Sequence, residues 1–247
     1  MGHPQQAQAT RVSKTCFAII GAGGLGGPLA YSLAAAGAGS LLVCDDDVVS
    51  LSNLPRQVQF RTADVGRRKV DALADELVRR GYPGSQLHLV GQRFGPDIAS
   101  RVTECADILI DASDNFTTKF AVNDHALAAG MPCVIAGVLR YGGQLLAVRP
   151  GATGCYRCLF PAPPAGHERR SCFDAGVLGP AVAVIGALAA RAALALAAGD
   201  AQPHDDRPVA GELYLYDDLR ESMTPHRVRF SPRAECPACS ARGGQPC

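Results

Sequence analysis

The stretch GAGGLGG, residues 21–27, sets Gly21, Gly23 and Gly26 at the spacing G-x-G-x-x-G, between an apolar run and a helical pattern. Gly21 permits a tight turn, Gly23 lets backbone N–H groups approach an anion, and Gly26 lets a helix lie close to a strand. Nineteen residues after Gly26 stands Asp45, at a strand end where a carboxylate accepts hydrogen bonds from ribose hydroxyls. Phosphate and ribose together mean a nucleotide, and on these residues NAD and ATP fit equally well. Four thiols carry a second chemistry. Cys155 and Cys158 form one C-x-x-C pair and Cys236 and Cys239 another, with seventy-seven residues between the pairs. Two such pairs in a reduced chain match a closed tetrahedral Zn2+ site, structural because no coordination position is left for water.

These groups need a scaffold, and the hydrophobic pattern supplies one. CFAII (16–20), SLLVCD, QLHLV, ADILIDAS and PCVIAGV read as buried strands, alternating with helical stretches that follow Pro28 and run through RRKVDALADELVRRG, DIASRVTEC and NFTTKFAVNDHALAAG. The alternation predicts a Rossmann-like, doubly wound, mostly parallel α/β sheet. From Tyr141 the rhythm changes: GGQLLAVRP, GELYLYD and HRVRF predict antiparallel strands that extend the same sheet. Residues 1–15 read as a short arm and 16–247 as one domain, with a nucleotide half (16–140) and a second half (141–247) holding the zinc. The 247 residues carry a net charge of +1, which argues against nucleic acid or an anionic membrane as a partner. The apolar stretch Val177–Ala198 is long enough to cross a bilayer, yet it is alanine-rich and contains Arg191, so a buried or subunit-interface helix is expected. No signal segment precedes the first strand, so a cytoplasmic location and reduced thiols are expected for the ten cysteines.

Beyond Asp45 the dehydrogenase pattern gives out. The run D-x-D-x-V-x-x-S-N-L-x-R-Q (45–57), followed by GRRK, DASDN, GGQ, CYRC, AGVLGP and CPAC in that order, resembles the ThiF/MoeB/HesA family of ubiquitin-activating-enzyme-like proteins. ERRSC and AGVLGPAVAVIGAL lean toward its ThiF side. The resemblance implies ATP as the nucleotide and adenylation of the C-terminal Gly-Gly carboxylate of a ubiquitin-like sulfur carrier (ThiS- or MoaD-like). It implies Gly24 at the phosphate turn and Asp45 on the ribose. Ser52, Asn53, Arg56, Gln57 and Lys69 would gather at the phosphates, Asp114 would hold Mg2+, and Asn115 would lie beside it. Attack of a carboxylate on the α-phosphorus brings anion toward anion, so cations and a metal there make physical sense. The resemblance also implies a homodimer. A persulfide donor would be a separate protein, since no rhodanese-like extension follows Cys239.

Asp46 reads as a solvated strand end, and Asp47 either as the same or as a site residue. Cys172, after Arg169 and Arg170 in a Pro-rich loop, matches the position of a cysteine that bonds covalently to the activated carrier in ThiF-like enzymes, whereas MoeB-like enzymes carry it without needing it. His167 reads as an exposed loop histidine. Cys16, Cys44, Cys105 and Cys133 read as small core residues, and Cys247 as a tail thiol. The family's R-Y-x-R-Q arm, whose arginine reaches the partner subunit's nucleotide, has no counterpart here; Arg11 and Lys14 are the cations upstream of the first strand. That departure keeps open a specialised enzyme acting on another peptide or carboxylate, and a zinc-stabilised, catalytically silent binding protein. An NAD-dependent oxidoreductase would leave Arg56, Lys69 and Asp114 without a task.

Overall fold

A computed structural model describes residues 4–164, 176–199 and 208–240. Five strands, β1 (Cys16–Ile20), β2 (Ser40–Cys44), β3 (Leu87–Val90), β4 (Ile108–Asp111) and β5 (Cys133–Leu139), run parallel. Three more, β6 (Gly142–Val148), β7 (Glu212–Tyr216) and β8 (His226–Arg229), continue the sheet antiparallel. The order is β3-β2-β1-β4-β5-β6-β7-β8, a single eight-stranded sheet. The chain winds outward from β1 to β3, then returns to start β4 on the other side of β1. That reversal leaves a crevice beyond the carboxyl ends of β1 and β4, where open α/β sheets bind ligands.

Alternation along β1 explains the two layers. Phe17 and Ile19 face a core shared with α2 (Gly26–Ala35) and α3 (Lys69–Arg79), whereas Ala18 and Ile20 face a core shared with α4 (Pro96–Cys105) and α5 (Phe116–Ala129). The turn α6 (Tyr156–Leu159) adds Tyr156 and Cys158 to the second core.

The long apolar stretch is α7 (Gly179–Ala198), with half of its residues buried against α2, α1 and strands β4 to β6. A Cβ at Gly186 would lie 2.6 Å from Leu25 O, so glycine is what lets α7 approach α2 this closely. A helix covers residues the sequence reading left as an arm: α1 (Pro4–Val12). It packs on α7, and Arg11 Nη1 donates to Ala198 O at 2.8 Å, a cation at the carbonyl end of a helix. One of the two upstream cations is therefore engaged within its own chain. Cys44 and Cys133 are core residues as expected, but Cys105, at the solvent end of α4, is exposed. Cys16 is half-buried.

Candidate active site

A cleft of about 1050 Å³ opens at the carboxyl ends of the parallel strands. Gly21, Gly23, Gly24, Asp45, Asp47, Arg56, Gln57, Lys69, Asp114 and Asn115 all line it, although they come from five stretches of chain. The glycine turn is dictated by contact. Gly21 has φ +107°, and a Cβ there would sit 2.8 Å from Ala112 O. Gly26 is not in the lining; a side chain there would collide with Gly21 O, and this close approach seats α2 on the turn.

Asp45 closes the turn from the neighbouring strand. Its Oδ2 accepts from Ala22 N at 2.7 Å and its Oδ1 from Asp47 N at 2.8 Å. Burial raises its pKa, opposed by the Lys69 ammonium and by those two amides. Asp47 pairs with Lys69, Oδ2 to Nζ at 2.7 Å, and the Lys69 N–H donates to Asp47 O. A lysine with its stem buried is thereby held at the cleft wall with its Nζ fixed on Asp47. Asp46 is exposed, yet it too lines the cleft, where it meets Arg93 at 3.2 Å. Arg56 Nη1 donates to Ser52 O at 3.0 Å. Ser52 and Asn53 lie in a 3-10 turn outside the lining, with the Ser52 hydroxyl on Ser50 and Asn53 Oδ1 on the Ser50 N–H. The start of α7 supports this corner: Cβ atoms at Gly24 and Gly179 would meet Val182 at 3.2 Å and Pro55 O at 2.9 Å.

Asp114 is exposed at the cleft mouth, one residue before Asn115, whose side chain caps α5 by accepting from Thr118 N at 2.8 Å. Beneath this loop lies a buried ion pair. Lys119 Nζ donates to Asp111 Oδ2 at 2.7 Å, to Ser113 O at 2.8 Å and to Ala136 O at 2.5 Å. All three ammonium hydrogens are used, tying β4, the 113–115 loop and β5 together.

The four cysteines from the two pairs meet behind β6 and α5. Their Sγ atoms all lie within 4.8 Å of one another, with Cys155–Cys158 at 3.9 Å, Cys155–Cys236 at 3.6 Å, Cys158–Cys239 at 3.7 Å and Cys155–Cys239 at 3.2 Å. Zinc–sulfur bonds of about 2.3 Å in a tetrahedron imply edges of about 3.8 Å, so the cluster has the size zinc requires. Backbone N–H groups of Arg233 and Cys239 point at Cys158 Sγ and Cys236 Sγ, the outer contacts that orient thiolate ligands. Asn123, fully buried on α5, accepts from Tyr156 N at 2.9 Å and fixes the first pair to the helix.

The ThiF family model matches residues 3–238. The chain belongs to the ThiF family. It is 38% identical over 234 residues to "Sulfur carrier protein adenylyltransferase" from Thermus thermophilus, covering 93% of this chain and 83% of that protein. To "Sulfur carrier protein ThiS adenylyltransferase" from Escherichia coli it is 37% identical, covering 92% and 87%. Among solved structures, E. coli MccB with ATP superposes with a TM-score of 0.78 at 22% identity, over 95% of this chain and 70% of that one, which establishes a shared fold.

In this ThiF-family chain, Cys172, His167, Arg169, Arg170 and Cys247 lie outside the described residues. The flanking residues Pro164 and Val177 both line the cleft, and Arg140, at φ 54°, bonds through its backbone to Gly176 and Leu178. Sequence reasoning missed Lys119, Asn123 and Gln59. Lys119 left a signal: it is the one Lys or Arg in the helix FTTKFAVNDHALAA, on a turn otherwise built of Thr and Phe. Asn123 and Gln59 left none, because a polar side chain in an amphipathic stretch reads as solvated.

Proposed function

We propose that this chain is an ATP-dependent adenylyltransferase that activates the C-terminal Gly-Gly carboxylate of a ubiquitin-like sulfur carrier for thiocarboxylate formation. The observation that carries the reading is one cleft holding an N–H-rich glycine turn, the cations Arg56 and Lys69, and the exposed carboxylate Asp114, in a chain whose named relatives adenylate sulfur carriers.

A carboxylate oxygen of the carrier attacks the α-phosphorus of ATP, and pyrophosphate leaves. Gly23 and Gly24 present backbone N–H groups to the phosphates, and Asp45 keeps the turn in shape while reaching the ribose. Arg56 forks onto phosphate oxygens, and Lys69, steadied by Asp47, adds a point charge as the pyrophosphate gains charge. Gln57 borders the turn, Asn115 fixes the loop, and Ser52 and Asn53 hold the segment that delivers Arg56. Asp114 offers the hard oxygen ligand that Mg2+ prefers, and the bound metal would neutralise pyrophosphate charge. Cys155, Cys158, Cys236 and Cys239 would hold a zinc with a structural task only.

The lining continues onto β6 and β7 through Gly142, Gly143, Gln144, Leu215 and Tyr216, so residues 141–247 form the carrier-binding side. Cys172, in a segment whose described flanks Pro164 and Val177 border the cleft, is proposed as the thiol that takes the activated carrier, its sulfur attacking the acyl carbon as AMP leaves. The outer sulfur of a separate persulfide donor then displaces the Cys172 thiolate from the acyl carbon. That thiolate attacks the acyl disulfide so formed, releasing the thiocarboxylate and leaving a Cys172–donor disulfide that a small thiol reduces. The working form is a homodimer, and the reaction belongs in the reducing cytoplasm.

ATP–pyrophosphate exchange tests the reading. Exchange should need a carrier ending in Gly-Gly. Nucleotide binding with no exchange for any such carrier would favour a silent binding protein instead.

A further inference from the structure

Gln59 is 2% exposed and forms no part of the cleft lining, yet it touches the turn that the reaction depends on. Its Nε2 donates both hydrogens to that turn, to Ala22 O at 3.0 Å and to Gly23 O at 2.8 Å. Its Oε1 has no hydrogen-bond partner among the described residues and is pressed against Gly27, where any Cβ would collide with the amide. The reverse amide orientation would aim an oxygen at two carbonyl oxygens, so the network itself fixes which atom is nitrogen. A methionine or leucine side chain would fill this space and remove the unsatisfied Oε1, but it would leave the Ala22 carbonyl without its donor. The presence of an amide here therefore points to what its two donors do.

In a trans peptide the C=O and the following N–H point in opposite directions. A clamp that draws the carbonyls of Ala22 and Gly23 to one side turns the N–H groups of Gly23 and Gly24 to the other, and both of those glycines line the cleft. The Ala22 peptide is held from its other end as well, by the Asp45 carboxylate on Ala22 N. We infer that Gln59 is a positioning residue for phosphate binding: it sets two peptide planes so that the turn meets the nucleotide's phosphates with its N–H groups already aimed. This inference rests on the proposed ATP reading and assigns to Gln59 a part in it.

Titration calorimetry with ATP, and with adenosine as a probe lacking phosphates, tests this on the full chain and on Gln59→Met and Gln59→Leu. Two lost hydrogen bonds should raise the Kd for ATP by about 5- to 50-fold. The Kd for adenosine should stay within twofold, and the Tm should fall by a few degrees at most, because the lost donors to Ala22 O and Gly23 O are partly offset by removal of the unsatisfied Oε1. ATP affinity within twofold of wild type in either folded variant would overturn the inference, as would equal losses for ATP and adenosine. Should the wild-type protein bind no ATP, the nucleotide reading falls and this inference with it. A failure confined to the variants counts against Gln59 alone.

Discussion

The nucleotide cleft and the cysteine cluster are held together by different physics. The cleft stands on strands β1, β4 and β5, whose residues are nearly all buried, and on a lysine buried against Asp111. The cysteine cluster has little apolar support on its C-terminal side. Every residue of β8 is exposed, and from Ser231 to Ser240 only Cys236 is fully buried. Hydrophobic burial and hydrogen bonds therefore form the cleft, whereas the tail depends on four sulfurs and the metal they would share. The two regions should respond to different perturbations.

The largest expected effects are on the cleft's charges. Asp114→Ala should abolish Mg2+-dependent pyrophosphate exchange with zinc content unchanged, because it removes an exposed ligand and no core. Exchange at the wild-type rate would remove the metal role from Asp114. Arg56→Ala should lower the exchange rate by about 10²–10³-fold, as loss of a preorganised charge partner does. A loss under about threefold would mean that Arg56 does not act on the phosphates.

The next effect is on the cleft's support. Lys119→Met leaves Asp111 buried without its cation, and urea unfolding should show a loss of about 3–5 kcal/mol. The double variant Asp111→Asn, Lys119→Met should recover most of it. Burial holds Asp111 above the usual carboxylate range, with Lys119 opposing. A raised folded pKa costs stability above the unfolded pKa and is relieved as pH falls, so acidification should rescue part of the Lys119→Met defect. No recovery in either experiment would mean that the pair is a spacer and not an electrostatic unit.

The smallest effect sharpens the contrast from the other side. Cys239→Ser should reduce bound zinc from about one per chain and speed hydrogen exchange in β8 and the 230–240 segment, because structural zinc lends its binding energy to folding. ATP affinity should stay within about twofold. A tenfold loss of ATP affinity would show that the metal also shapes the cleft.

These differences track what was legible in the sequence. The strand and helix rhythm, the glycine spacing and the cysteine pairs each follow from a local rule, and the structure contains the sheet and the four-sulfur cluster those rules predict. The contacts that lock the cleft do not follow from local rules. Lys119 reaches strands eight and seventeen residues away, and Gln59 reaches back more than thirty residues to the glycine turn. Such partners are set by the winding of the sheet, which sequence periodicity does not encode residue by residue. The helix at Pro4–Val12 is hidden for a related reason: its sequence is polar, and its ties to the fold, Arg11 on the end of α7 and the Gly39 N–H on Val12 O, are made with distant or later parts of the chain.

The most direct test of the central claim follows the α-phosphate. ATP labelled at that phosphate would be incubated with Cys172→Ser enzyme, Mg2+ and a ubiquitin-like sulfur carrier ending in Gly-Gly, alongside the same carrier shortened by its last glycine. This variant cannot pass the carrier to the thiol and release the label as AMP. The account predicts label on the intact carrier, none on the shortened one, and none on the intact carrier over the same interval when Arg56→Ala is added to that enzyme. Label on neither carrier, or equal label on both, would contradict it.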